Sequence, residues 1–179
     1  MNYQEILDFW FDPKNQSWWF SQNDAFDALI EENLRQFINK RRMLSYGLGA
    51  VVLKGVWLKL LCSTNCRETC IATVLWPLLR TLWPWLLAQE AITLQLDAAL
   101  PPIQRSFLYM PFMHSESKLI HQYALKLFED LGNPINLDFE QRHKEIIDRF
   151  GRYPHRNQVL GRNSSQEELD FLTQPNSHF

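Results

Sequence analysis

"SESKLIHQYALKLFEDLGNPINLDFEQRHKEIIDRFG", residues 115–151, decides the fold. Ser115 is placed to cap a helix that runs to Leu131, with Glu116 at its positive end. Gly132 stands where a helix end favours left-handed backbone. A second helix is predicted over 137–150. There Phe139, His143, Ile146, Ile147 and Phe150 recur at helical spacing as an apolar stripe, and Gly151 ends it. So short a connection favours two antiparallel neighbours.

The same grammar extends outward. A helix is predicted over 2–11, with Asn2 as cap, Glu5 three residues on, and Ile6, Phe9 and Trp10 on one side. Asp12-Pro13 stops it. Trp18, Trp19 and Phe20 are expected as core or lid aromatics. Over 24–40, Phe26, Leu29, Ile30, Asn33, Leu34 and Phe37 keep helical spacing. Further helices are predicted over 88–100, ended by Pro101-Pro102, and over 103–110, before Pro111. Ser164-x-x-Glu167 reads as a capping box for a last helix through Leu172. No alternating β-branched stretch outside 43–87 argues for a sheet. The expectation is one all-α domain of antiparallel helices over residues 1–179.

The bulk numbers agree with a globular chain. It has 179 residues, 46% hydrophobic and 21% charged, with a formal net charge of -2. That balance gives no basis for a broad nucleic-acid surface. MNYQEILDFWF has no basic region followed by an apolar run, so no secretory signal is expected. Three cysteines, an odd number, fit a reducing cytoplasm better than a disulfide framework.

The average hides an anomaly. Residues 43–87 hold no aspartate and one glutamate, Glu68, yet all three cysteines, four of the seven tryptophans and three of the six glycines. Lys54, Lys59, Arg67 and Arg80 against Glu68 give this stretch +3, which leaves -5 for the rest. Cys62, Cys66 and Cys70 stand four apart and would share one helix face. The apolar run over 43–62 has the length of a membrane span, but Lys54 and Lys59 count against one, and no membrane partner is expected.

Three stretches carry a resemblance: "ILDFWF" (6–11), "FLYMPFMHSE" (107–116) and "RFGRYPHRNQVLGRNSSQEELDFL" (149–172). Together they resemble the bacterial family filed as domain of unknown function 924. The resemblance covers residues 1 to about 40 and about 86 to 179. It implies a helical, tetratricopeptide-like fold and no particular reaction. In the middle it fails. Where the family has a motif like Leu-Leu-Asp-Gln-Phe-Pro-Arg-Asn, this chain reads LLCSTNCRETCIAT.

Reading one base earlier restores that motif. The codons required by Ser63 to Thr73, with serine as TCN and arginine as CGN, permit Leu-Asp-Gln-Leu-Pro-Arg-Asn-Met-Tyr-Arg-Asp in the earlier frame. Neighbouring anchors shift equally well. Thus 44–49 can become Glu-Leu-Trp-Ala-Trp, 54–59 Glu-Gly-Arg-Leu-Ala-Glu, and 81–84 Asp-Pro-Met-Ala. The resemblance therefore implies that about 42–85 is translated out of frame, with the frame restored near Leu86. The cysteines are then by-products of shifted codons, and no metal site is expected. A chain that replaces about forty core residues is expected to be poorly soluble or partly folded, since single core truncations already cost about 2–5 kcal/mol.

Candidate chemistry sits in the matching part. His114 and Glu116 could serve as an acid/base pair or bind a cation, against the alternative of a helix cap at Ser115. Arg149, Arg152, Arg156 and Arg162 fall close together with His155 and Asn157. Planar guanidinium forks suit carboxylate or phosphate groups. The alternative is that they pair with acidic helices. His143, on the apolar stripe, reads as a hydrogen-bonded core histidine before a catalytic base. His121 stands at what is an acidic position in the family and receives no role.

No phosphate loop, nucleophile elbow or zinc-protease helix is present. No cofactor is named by the sequence. Two functional readings remain. One is an enzyme or binding protein for a small anionic ligand, with catalytic His114, Glu116, His143 and His155 and ligand-binding Arg149, Arg152, Arg156, Asn157 and Arg162. The other is a tetratricopeptide-like module for a protein partner. In both, the function is impaired in this chain.

Overall fold

Helix α1, Tyr3–Phe11, ends where Asp12-Pro13 disfavours another turn, and its last carbonyls are satisfied from outside. Asn15 Nδ2 donates to the Phe9 carbonyl at 2.7 Å, Trp19 Nε1 to Trp10 at 2.9 Å and Gln16 Nε2 to Phe11 at 3.4 Å. These bonds fold the 12–19 segment back along α1, which matches the terminal carbonyls a helix leaves open.

The computed structural model describes residues 3–19, 23–26, 28, 29, 32, 33, 85–175 and 177. The cysteines, the apolar run over 43–62, and Phe20, Ile30, Leu34 and Phe37 lie outside them. Among the described residues every regular element is helical. The chain is all-α.

Two compact units are present, Met1–Pro111 and Phe112–Phe179. In the first, Trp10, Trp19, Phe26 and Phe107 are buried. Trp19 meets Phe107 edge-on at 4.9 Å, and Trp10 stacks on Trp19 at 6.0 Å. Trp18, by contrast, is exposed. Asn23 Oδ1 accepts the Phe26 amide at 2.9 Å, so Asn23 caps the helical residues at 24–26, one position before the expected start.

The predicted 88–100 helix stops earlier. Residues 85–93 are helical, Gln95 takes a left-handed conformation at φ 56°, and a 3₁₀ turn follows over Leu96–Ala99. The break brings Asp97 to buried Tyr109, whose hydroxyl donates to Asp97 Oδ2 at 2.5 Å and accepts from Arg105 Nη2 at 3.1 Å. Helix α2, Pro102–Met113, starts with proline, where no amide partner is missed. It also carries Pro111 inside it rather than ending before it. Burial of Phe112 and Met113 outweighs the preference of the residue before proline to leave the helix.

The second unit is built on a hairpin of α3, Lys118–Leu131, and α4, Pro134–Phe150. Gly132, at φ 73°, turns the chain. Asn133 then caps α4 by accepting the Ile135 and Asn136 amides, with Pro134 in the first turn. The helix therefore begins three residues before the predicted position, 137. At the open end Lys118 Nζ reaches the Asp148 carbonyl at 2.8 Å, so the helices run antiparallel.

The predicted caps shift by a residue or two. Ser117, not Ser115, is the N-cap of α3, and its side chain makes no capping bond. Ser165 and Glu168, not Ser164 and Glu167, form the capping box of α5, Gln166–Leu172. Glu168 wins that place because it is buried against Arg152, while Glu167 stays exposed.

Candidate functional site

Tyr153 is the hub of the second unit. It follows the left-handed Gly151, at φ 70°, which ends α4 and turns the chain back. A 3₁₀ turn, Pro154–Arg156, then sets His155 and Arg156 beside the tyrosine ring. Tyr153 is fully buried. Its ring centre lies 5.8 Å from that of His143, 5.6 Å from His155 and 6.4 Å from His121. The Arg156 guanidinium sits 4.6 Å from the same ring centre, a cation–π geometry. His114 meets His143 edge-on at 5.4 Å. His114, His143, His155 and Arg156 thus form one group, with His114, His155 and Arg156 half-buried and His143 buried.

The turn between α2 and α3 has its carbonyls held from this cluster. Tyr153 Oη donates to the Met113 carbonyl at 2.6 Å, Arg156 Nη1 to His114 at 3.0 Å and His121 Nε2 to Ser115 at 2.8 Å. Three successive carbonyls that a helical ladder would otherwise satisfy are each taken by a different side chain.

The other arginines are committed to carboxylates. Arg162 holds Glu116 through both terminal nitrogens, at 2.6 and 3.0 Å. Arg152 holds Glu168 at 2.6 and 2.8 Å. Arg149 pairs with Glu167 at 2.9 Å on an exposed surface and lies over Phe150. Glu116 therefore points at Arg162 and at the Tyr153 amide, 3.1 Å away, not at the helix dipole as predicted. Asn157 is buried and donates to Ser164 Oγ at 3.0 Å.

These contacts set the charges. Burial alone would raise the Glu116 carboxyl, but the Arg162 pair and the Tyr153 amide outweigh it and hold it below its usual range. Arg152 holds Glu168 down at about 2. Burial pushes the His143 imidazole down to about 4. His143 Nδ1 faces the Phe139 carbonyl at 2.7 Å. A carbonyl only accepts, so Nδ1 carries the proton and Nε2 is the lone-pair nitrogen.

His121 received no role from the sequence, and Glu140 was not singled out there. Both are fully buried, and His121 Nδ1 lies 2.7 Å from Glu140 Oε1. The signal was periodicity: His121, Ala124 and Phe128 share one buried stripe of α3, and Glu140, His143 and Ile147 another on α4. Among the described residues no group of three or more His, Cys, Asp or Glu side chains could hold a metal ion, and no helix is long and apolar enough to cross a membrane.

Known proteins bear on this geometry in two ways. The family model for a bacterial protein of unknown function, DUF924, matches residues 84–176. The solved structure of a protein of unknown function from Agrobacterium tumefaciens is similar at a TM-score of 0.73 and 32% identity, over 95% of this chain and 96% of that one. No curated protein sequence matches. More than half of the chain, from residue 84 through the capped helix α5, fits the family model, and the chain belongs to the bacterial family DUF924.

Proposed function

We propose that the cluster around Tyr153 takes a small anionic compound, with Arg156 as the anchoring charge, His143 as acceptor or base, and His114 and His155 beside them. The observation that carries this reading is Arg156. Its guanidinium lies over the Tyr153 ring, which His143 and His155 flank, and among the described residues it forms no ion pair with a carboxylate, although its charge reaches Glu116, while Arg149, Arg152 and Arg162 each form one. In this reading Arg149, Arg152, Arg162, Glu116 and Asn157 brace the scaffold and do not meet the ligand. A half-buried guanidinium recognises carboxylate or phosphate oxygens in pairs.

Calorimetric titration of inorganic phosphate into the full chain tests it. Saturable binding that weakens about tenfold or more in Arg156→Gln is expected, the usual loss for a charge-assisted hydrogen bond. No binding, or equal binding by both, contradicts it.

A second reading, a tetratricopeptide-like module for a protein partner, draws on α3 and α4. Leu119 is 74% and Ile135 66% exposed, and Tyr123 and Phe139, one turn further along each helix, are exposed too. Substituting these apolar residues would then impair partner capture and leave phosphate binding intact.

We also read residues 42–85 as out of frame. The family match begins at residue 84, two positions before Leu86, near which the frame would be restored. Relatives would add their Asp-Gln and Pro-Arg-Asn residues to the same site, and binding in this chain is correspondingly weakened but not abolished. The setting in this reading is cytoplasmic.

A further inference from the structure

His121 and Glu140 face each other across α3 and α4 with both side chains at 0% exposure. The proton positions follow from their partners. His121 Nε2 lies 2.8 Å from the Ser115 carbonyl and 3.3 Å from Tyr153 Oη. The carbonyl can only accept. The Tyr153 hydroxyl already donates to the Met113 carbonyl, so toward His121 its oxygen is the acceptor. Nε2 therefore carries a hydrogen.

One proton remains for the 2.7 Å contact between Nδ1 and Glu140 Oε1. It belongs either to a carboxylic acid facing a neutral imidazole or to an imidazolium facing a carboxylate. The second arrangement would bury two charges and leave a charged Oε2 with no hydrogen-bond partner. The first leaves Oε2 as an ordinary carbonyl oxygen, which costs less without a partner. The other groups around the pair do not reverse this. Lys144, on the next turn of α4, is engaged by Asp148. His143, also on α4, is held neutral by burial. Tyr153 and the 113–117 turn present a hydroxyl and carbonyls.

We infer that Glu140 is a neutral carboxylic acid donating to His121, and that the two are positioning residues for the ring cluster, acting through Tyr153 and the Ser115 carbonyl. Burial raises the Glu140 carboxyl above its usual range even against the pull of His121. The inference rests on the proposed anion site only in treating that cluster as a ligand site.

Imidazole nitrogen NMR on the full chain tests it. His121 should read as a neutral ring protonated at Nε2 at neutral pH. An imidazolium signal there overturns the inference. Glu140→Gln supplies an N–H donor in place of the O–H, and His121 should keep its tautomer. Glu140→Leu removes the donor, and amide protection over residues 115–121 should fall about tenfold or more. Equal losses in both variants overturn the inference. If Glu140→Leu does not fold, the glutamine variant and the unmutated spectrum still decide. Phosphate titration separates the two ideas. An imidazolium His121 with phosphate bound defeats this inference alone, and a neutral His121 without phosphate binding defeats the ligand reading alone.

Discussion

Arg162 takes Glu116 with both terminal nitrogens, at 2.6 and 3.0 Å, across 46 positions of sequence. The same carboxylate accepts the Tyr153 amide. One ion pair thus ties the turn before α3 to the loop that follows the 3₁₀ turn, and both flank the ring cluster. Arg162→Met leaves Glu116 half-buried without its cation. Local stability of Phe112–Phe179, read by hydrogen exchange, should fall by about 1.5–3 kcal/mol. A change under about 0.5 kcal/mol would mean that solvent replaces the pair.

Glu168 makes acid the weak side of α5. Its folded value, about 2, lies below the ordinary 4.5. A depressed carboxyl contributes stability that is complete above the ordinary value and is lost as pH falls toward the folded one. Protection of α5 should therefore decline between pH 4.5 and about 2. Arg152→Met should flatten that decline, because the guanidinium is its main cause. An unchanged acid profile in the variant would contradict the assignment.

His143 adds a separate acid dependence. Held at about 4 against an ordinary 6.5, it is neutral in the fold and takes up a proton on unfolding in between. Its contribution is complete above 6.5 and declines as pH falls to about 4. At about 1.4 kcal/mol per pH unit the loss amounts to about 3 kcal/mol. His143→Gln should lose less than the unmutated chain over this range, as measured by exchange at several pH values. A steeper loss in the variant would be the wrong sign.

Much of this architecture was legible because helix signals are local. Gly132 and Gly151 mark their helix ends as expected, and the stripe through Ile146 and Ile147 packs inward. The errors share one cause, which is that partners far away in sequence decided the detail. Glu168 displaced Glu167 as the capping glutamate because Arg152 lies opposite it. Residues 85–93 stop short of Pro101 where the chain turns Asp97 to Tyr109. The arginine cluster showed its composition, but not which guanidinium forms no ion pair among the described residues. His121 received no role from the sequence and Glu140 was not singled out, because only the packing of the two helices brings them face to face.

The frame reading makes a prediction about the gene. Read one base earlier across the codons for residues 63–73, it should encode Leu-Asp-Gln-Leu-Pro-Arg-Asn-Met-Tyr-Arg-Asp. A stop codon or unrelated residues there would refute the shift. Peptide mass spectrometry on the protein from its source cells then distinguishes an error in the sequence from a genuine mutation. Peptides with the motif mean an error, and peptides containing STNCR mean that the shift is made in the cell. In the second case the full chain should unfold in a broad, non-cooperative transition, and a single sharp one would contradict that expectation.

The most direct test of the ligand site is imidazole NMR of the full chain as inorganic phosphate is added. Signals of His114, His143 and His155 should move together and saturate, and Arg156→Gln should abolish the movement. Signals that stay still while phosphate is raised, or that move equally without Arg156, would contradict the ligand reading.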